Sequence, residues 1–167
     1  MNVTIKGLAP VLKKLGPDLI KEPLERYFTR AAITVQGKAR EKTPVDTGGL
    51  RNRLMYEVSA DSARMGFLNA KEGSELFYQA RAMEYGTGRA GDPEVSHKSG
   101  HFPTPGKLDV WAARHGWASG FRVAQAIARR GGLKARRMLR EGLQDSTSAL
   151  QGFANQLGDE LKAQWGK

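Results

Sequence analysis

The 167-residue sequence predicts an α+β fold: a long N-terminal helix packed on a small antiparallel sheet, with additional C-terminal helices. Three observations predict it. Apolar residues recur every three or four positions between residues 20 and 39, which is typical of one helix face. The period then changes to two over residues 53–58, which is typical of a strand. The helical period returns after residue 107, and the length favours a single domain over residues 1–167.

The chain before the long helix predicts two short elements. Residues 3–6 favour a strand that ends at Gly7. Residues 8–15 then favour a short helix that ends at Gly16 and Pro17, because glycine and proline interrupt helical patterns.

The long helix is predicted at about 22–42. Pro23 suits its first turn, where the missing N–H removes no hydrogen bond. The helix should end before Pro44, because the residue before a proline avoids the helical region.

A turn and a hairpin should follow the long helix. Alternating apolar and polar residues predict strands at about 50–59 and 63–69, with one face buried. The side chain of Asp46 is expected to cap the turn, and the glycines are expected to supply positive φ. The residues assigned to this structural turn are Pro44, Asp46, Thr47, Gly48 and Gly49.

The second half of the chain predicts a loop and then helices. Residues 76–85 fit either a strand or a helical turn. Five glycines and three prolines make residues 86–106 a long loop. A helical insertion at about 107–132 should hold two short helices. A short basic segment at 133–143 and a last helix with a stripe from Leu150 to Trp165 complete the chain. The candidate N-caps of the last helix are Ser146, Thr147 and Ser148.

Composition excludes several classes of protein. The chain has no cysteine, which excludes disulfides, thiolate catalysis and zinc held by cysteine. No apolar run approaches the roughly 20 residues of a membrane span, so no membrane association is expected. Lys and Arg number 27 against 17 Asp and Glu, a net charge of +10 that is concentrated in residues 1–55 and 101–142. Two basic blocks predict contact with a polyanion or with a charge-matched protein.

Two motifs match enzyme patterns by composition alone. Asp46-Thr47-Gly48 matches the aspartic-protease triplet, but that chemistry needs two carboxylates, so a single copy would require a homodimer. The segment 86–91 matches G-x-G-x-x-G, yet a dinucleotide site needs this loop to open a helix, and Asp92-Pro93 follows instead. We interpret the first motif as a turn and the second as a flexible loop.

A metal site at the long loop is the remaining catalytic alternative. His97 and His101 are four residues apart, with Asp92 and Glu94 nearby, and on a helix this spacing would suit zinc. Gly100 and Pro103 argue against a helix, so we predict no metal and no cofactor. Because no nucleophile–base set stands out either, we predict that the protein is not an enzyme.

The most basic segment predicts a contact with a partner or with DNA. Its six positive groups lie within twelve residues, namely Arg129, Arg130, Lys134, Arg136, Arg137 and Arg140. The two short helices before it, at about 108–130, are similar to a helix-turn-helix. The alternative function is therefore a basic DNA-binding protein, although few side chains there could read bases.

Three motifs in order resemble those of a known family. The first, after Gly7-Leu8 and the long helix, is Ala39-Arg40-Glu41-Lys42-Thr43-Pro44-Val45-Asp46-Thr47-Gly48-Gly49-Leu50-Arg51. The second is Met83-Glu84-Tyr85-Gly86-Thr87-Gly88. The third combines Trp111-Ala112-Ala113-Arg114-His115-Gly116 with Ala126-Ile127-Ala128-Arg129-Arg130-Gly131-Gly132-Leu133-Lys134-Ala135-Arg136. Together they resemble the neck or tail-completion (head–tail joining) proteins of phages and prophages with long non-contractile tails. The chain departs from the family at Met83, where an aromatic is usual, and at Arg137-Met138-Leu139, where many members have Pro-Phe-Leu.

The resemblance implies a virion structural protein and not an enzyme. Members of the family are thought to sit in a homo-oligomeric ring between the portal-side connector and the tail tube, where they make the tail competent to join the head. The implied partners are other neck, connector and tail-tube proteins, and the implied location is the head–tail junction, with the host cytoplasm during assembly. The basic blocks would then meet acidic partner rings or passing DNA.

Overall fold

The computed structural model describes residues 17–95 and 101–165, and it confirms the α+β class. The strand expected at 3–6 and the helix expected at 8–15 lie outside the described residues. In chain order the elements are α1 (Pro17–Lys42), α2 (Gly49–Asn52), β1 (Met55–Val58), β2 (Ala63–Gly66), α3 (Glu75–Tyr85), α4 (Asp109–Arg114), α5 (Gly120–Arg129) and α6 (Met138–Trp165). No helix among them combines the length and apolar character that a membrane crossing requires.

The chain divides into two compact units. Met1–Ala70 together with Met138–Lys167 form the first, called here the helix-pair unit. Lys71–Arg137 form the second, called the inserted unit because it interrupts the first along the chain. The sequence analysis expected one domain over residues 1–167, and the contacts instead fall into these two groups.

Helix α1 buries the predicted apolar stripe. Ile20, Leu24 and Phe28 form a core cluster, and the stripe continues to Ala39. The helix begins at Pro17, five residues before the predicted start, because proline fits the first helical position as well as it ends a preceding pattern. The expectation that Pro23 lies in the first turn is therefore wrong.

The hairpin is shorter than predicted. Strands β1 and β2 pair antiparallel in a register that places Val58 opposite Ala63, and both pack against the α1 core. The first predicted strand, from residue 50, was too long because Gly49–Asn52 form the single-turn helix α2. A tight turn joins the strands, with Ser59 N–H donating to the Ser62 carbonyl at 2.8 Å.

Helix α6 starts ten residues before Ser148. The N-cap role expected for Ser146 and Thr147 is wrong, because both lie inside the helix and donate to carbonyls four residues back. The extra turns pack on α1 at Gly142, where an added Cβ would come within 2.7–2.9 Å of three Ala39 atoms. Close packing of the two helices thus extends α6 beyond its local sequence signals.

The described residues of the inserted unit contain three α-helices. Ser74 caps α3 by accepting from the Phe77 N–H, which resolves the ambiguity of residues 76–85 in favour of a helix. The two helices predicted between 107 and 132 are present as α4 and α5, and Ser119 caps the second. The predicted basic segment at 133–143 divides into a stretch without regular secondary structure, 133–137, and the start of α6.

Candidate interaction surfaces

The turn between α1 and the hairpin is fastened to α1 at both ends. Thr43 is 3% exposed, and its Oγ1 donates to the Ala39 carbonyl at 2.8 Å. At the other end the carbonyl of the buried Leu54 accepts from Gln36 Nε2 at 2.7 Å and from an Arg40 Nη at 3.2 Å. The sequence analysis did not predict that Gln36 and Arg40 anchor the turn. Polar residues on a helix usually indicate a solvent-exposed face, so they were not singled out.

The middle of this turn faces solvent. Val45 is 60% exposed, and Asp46 and Thr47 are exposed as well. The positive φ expected of the glycines is found at Gly48, where φ is +79°. Gly49 is the first residue of α2 and does not need positive φ. The Asp-Thr-Gly triplet thus lies in an exposed turn after a helix. That the Asp46 side chain caps the turn stays a prediction.

The G-x-G-x-x-G segment packs backbone against backbone. A Cβ on Gly86 would lie 2.4 Å from the Leu133 carbonyl oxygen, and one on Gly132 would lie 1.8 Å from that of Thr87. Thr87 and Leu133 also exchange two hydrogen bonds, one through Thr87 Oγ1, at 2.9 and 3.0 Å. These glycines permit close approach of two chain segments, and the segment follows a helix where a dinucleotide loop would open one.

The stretch 133–137 also closes the end of α3. Arg136 N–H donates to the Met83 carbonyl at 2.8 Å, and Arg137 N–H donates to that of Glu84 at 3.1 Å. The last carbonyls of a helix have no partner within it, so these amides satisfy them. The second and third motifs of the sequence analysis are therefore parts of one hydrogen-bonded substructure.

Asp92 and Arg137 form a partly buried ion pair in the inserted unit. Asp92 is 3% exposed, its Oδ1 accepts from Glu94 N–H at 3.1 Å, and its Oδ2 lies 3.6 Å from an Arg137 Nη. Arg137 has φ +50°, which is uncommon for a residue with a side chain. Arg137 was predicted as a partner contact, and its guanidinium is instead turned to a carboxylate of its own unit.

The suggested metal ligands do not gather around one point in the described part of the chain. His97 lies outside it, and Asp92 is engaged with Arg137. Across residues 17–95 and 101–165 no three His, Asp or Glu side chains come close enough to hold one ion.

The remaining predicted basic residues fall into two places. Arg129, Arg130, Lys134 and Arg136 are exposed on the inserted unit, and none of them pairs with a carboxylate of the described residues. Arg140 lies on α6, in the helix-pair unit. Four of the six predicted residues therefore share one unit, an exposed position and the lack of an ion pair with a described carboxylate.

Helix α5 adds a cation that sequence reasoning did not assign to this set. At about 100° per residue, Phe121, Arg122, Gln125 and Arg129 fall within an arc of about 100°. The opposite side buries Val123 and Ala124. The seven-residue spacing of Arg122 and Arg129 was the signal that would have found it, because such residues share a helix face.

An apolar pocket of about 100 Å³ opens between α1, β2 and α6 of the helix-pair unit. Its lining includes Tyr27, Val35, Met65 and Leu143. Tyr27 brings the one polar side chain to this lining, and burial raises the pKa of its phenol. A pocket with so few polar groups offers little to orient a small polar ligand.

Searches against family models, curated proteins and solved structures found no match to this chain.

Proposed function

We propose that this protein is a virion structural protein of the head–tail junction, part of a ring that joins a phage tail to the DNA-filled head. It would act through its surfaces, with no catalytic group and no cofactor. Its partners would be further copies of itself and other neck, connector and tail-tube proteins. Its location would be the virion, after assembly in the host cytoplasm.

The observation that carries the proposal is the place of the family-like motifs in the fold. The first motif, 39–51, ends α1 and forms the turn that Gln36 and Arg40 fasten. The second and third hydrogen-bond to each other through Thr87 and Leu133. All three motifs connect one element of the fold to another. A structural subunit requires such connections, whereas a catalytic motif would not need them.

The exposed turn adds support. Val45, Asp46 and Thr47 project from an anchored frame, which limits the conformational entropy that a contact with a neighbouring subunit would cost. Head-to-tail contacts of this kind between identical subunits can close into a ring.

The test is deletion of the gene in the phage or prophage that encodes the protein. We expect filled heads and free tails that do not join, and we expect addition of the purified protein to restore infectious particles. Labelling should place the protein at the junction, and native mass spectrometry of isolated necks should find several copies. Normal joining without the protein, or its absence from the particle, would contradict the proposal.

A second candidate is a DNA-binding protein that uses α4 and α5 as a helix-turn-helix. The observation in its favour is that α5 turns Arg122, Gln125 and Arg129 outward, and these side-chain types read bases in the major groove. This candidate predicts tight binding to one duplex sequence over others in an electrophoretic shift with competitor DNA. A joining protein predicts no such preference.

A further inference from the structure

We infer that the outward side of α5 binds the phosphodiester backbone of duplex DNA without reading its sequence. The contact surface, called here the arginine face, has Arg122 and Arg129 on one side of α5, and the exposed Arg130, Lys134 and Arg136 follow them along the chain. This inference goes beyond the proposed function and holds or fails independently of it.

The cations of the arginine face form no ion pair within the part of the chain that the structure describes. In the described residues no carboxylate lies within ion-pair distance of Arg122, Arg129 or Arg130. Lys134 and Arg136 are exposed and alternate along the chain with the less exposed Leu133 and Ala135. Exposed cations without partners are what a polyanion contact requires.

Local stability does not explain Arg122. It is the third helical residue after the N-cap Ser119, in the first turn of α5. The helix dipole disfavours a cation at this end by about 0.3–1 kcal/mol. Arg129 and Arg130 lie at the C-terminal end of α5, where the helix dipole favours a cation. The dipole can therefore explain these two arginines but not Arg122. A cation kept at the unfavourable end points to an external anion.

The turn after α5 leads the chain directly from one group of cations to the other. Gly132 N–H donates to the Ile127 carbonyl at 3.0 Å, and Gly131 N–H donates to that of Ala128 at 2.9 Å. Gly131 has φ +81°, so this is the glycine-ended helix terminus in which two amides cap the last carbonyls. The chain therefore reverses within two residues, and the second group of cations follows at once.

Duplex DNA fits this surface better than an acidic protein does. Arg122 and Arg129 are separated by about 10 Å along the helix axis, from a rise of 1.5 Å per residue. A duplex carries about one negative charge per 1.7 Å of its axis, so any stretch of that length meets both arginines. A folded protein would need carboxylates placed to match both arginines, and Gln125 is the sole amide of the arc available to read a base.

The experiment measures anisotropy of two fluorescent 24-base-pair duplexes of unrelated sequence with the full-length protein in increasing KCl. Five phosphate contacts predict a slope of log K against log salt of about −4.5, which is about a 500-fold loss of affinity between 50 and 200 mM. Replacement R122Q/R129Q/R130Q should make the slope shallower by about 2.7, leaving a loss of about 12-fold. The pair K134Q/R136Q should make it shallower by about 1.8.

The matched control removes three exposed cations from the helix-pair unit, K21Q/R64Q/K162Q, and should leave the slope nearly unchanged. Circular dichroism melting checks that each variant is folded, and K134Q/R136Q tests the inference if the triple variant of α5 is not. No duplex binding at 50 mM KCl, or an equal effect of the control triple, would overturn the inference. So would binding to poly-glutamate but not to DNA, or a strong preference for one duplex. Normal head–tail joining without DNA binding would reject the arginine face and leave the proposed function standing.

Discussion

The two units of this protein use their charged residues in different ways. On α1 and α6 of the helix-pair unit, Arg26 pairs with Glu22 and Glu160, and Lys42 pairs with Glu141 and Asp145. On α5 of the inserted unit the arginines face solvent without carboxylates. Packing of α1 on α6 therefore accounts for Arg26 and Lys42, whereas it gives no role to the arginines of α5.

The units also differ in how their segments approach one another. In the helix-pair unit, side chains such as Leu24 and Phe28 fill the space between elements. In the inserted unit, Gly86 and Gly132 also bring backbone against backbone, and hydrogen bonds join the two segments there. A side-chain core tolerates small volume changes by repacking, whereas two backbones in contact cannot yield. Substitutions should therefore have the largest effects at these glycines.

The largest effect is expected for Gly132→Ala. The added Cβ would lie 1.8 Å from the Thr87 oxygen, at a φ of +131° that alanine rarely adopts. We expect a loss of about 3–5 kcal/mol in the free energy of unfolding, from strain and overpacking together. Urea unfolding gives the magnitude, and hydrogen exchange should locate the loss in residues 71–137.

The matched control is Gly73→Ala, where φ is +83° but no atom lies within 4 Å of the new Cβ. Strain alone should cost about 1–2 kcal/mol there. Equal losses for both variants would mean that backbone contact adds nothing. Loss of protection in both units would mean that they unfold as one, and the comparison would fail.

A smaller loss is expected for Gly142→Ala at the contact of α1 with α6. The new methyl would lie 2.7–2.9 Å from Ala39 atoms, so the two helices must separate, at a cost of about 1–3 kcal/mol. On the same helix Gly152 has no atom within 4 Å, and Gly152→Ala should stabilise the protein by about 0.5–1 kcal/mol. Chemical denaturation of both variants measures the difference, and a neutral Gly142→Ala would show that the helices can separate freely.

For the turn, Asp46→Ala should lower the free energy of unfolding by about 1 kcal/mol, as for a lost cap. The control is Val45→Ala at the neighbouring exposed position, which should change stability by less than about 0.5 kcal/mol. Thermal melts of the two variants side by side would reveal the difference. If they match, Asp46 does not cap the turn.

The smallest effect concerns Lys42. A hydrogen bond to Asp145 at 2.9 Å, followed by the charge of that carboxylate and of Glu141, raises the Lys42 pKa above its ordinary value of 10.5. A raised pKa stabilises the fold fully below pH 10.5, and this contribution disappears as the pH rises through the higher value. Asp145→Asn should therefore flatten the decline of stability above pH 10.5. Asp159→Asn, which removes the partner of the exposed Lys162, should not.

The sequence predicted the long elements well and their ends less well. The α1 stripe from Ile20 to Ala39 was readable because the whole stripe faces one core. Pro17 was predicted to end the preceding helix, but it is the first residue of α1. Proline is compatible with both positions, so the sequence does not distinguish them. Ser146 was read as a cap, because a serine that bonds to its own helix and one that caps a helix have the same local sequence.

The candidate surface was predicted in part, for a different reason. Nearness in sequence grouped Arg137 with its neighbours, but the fold pairs it with Asp92, forty-five positions earlier. Arg122 stood apart in sequence and shares a face with Arg129 through helical geometry. Ion pairs between distant residues are set by tertiary structure, so a basic run marks a region without specifying which cations remain exposed.

The interruption of one unit by the other has a consequence for synthesis. Residues 43–137 leave the ribosome between α1 and its partner α6. At 5–20 residues per second this delay is roughly 5 to 20 s. During this time the apolar face of α1 is not yet covered by α6. The inserted unit, whose residues are contiguous in the chain, can fold during the same time. Nascent α1 would then be the segment most in need of a chaperone.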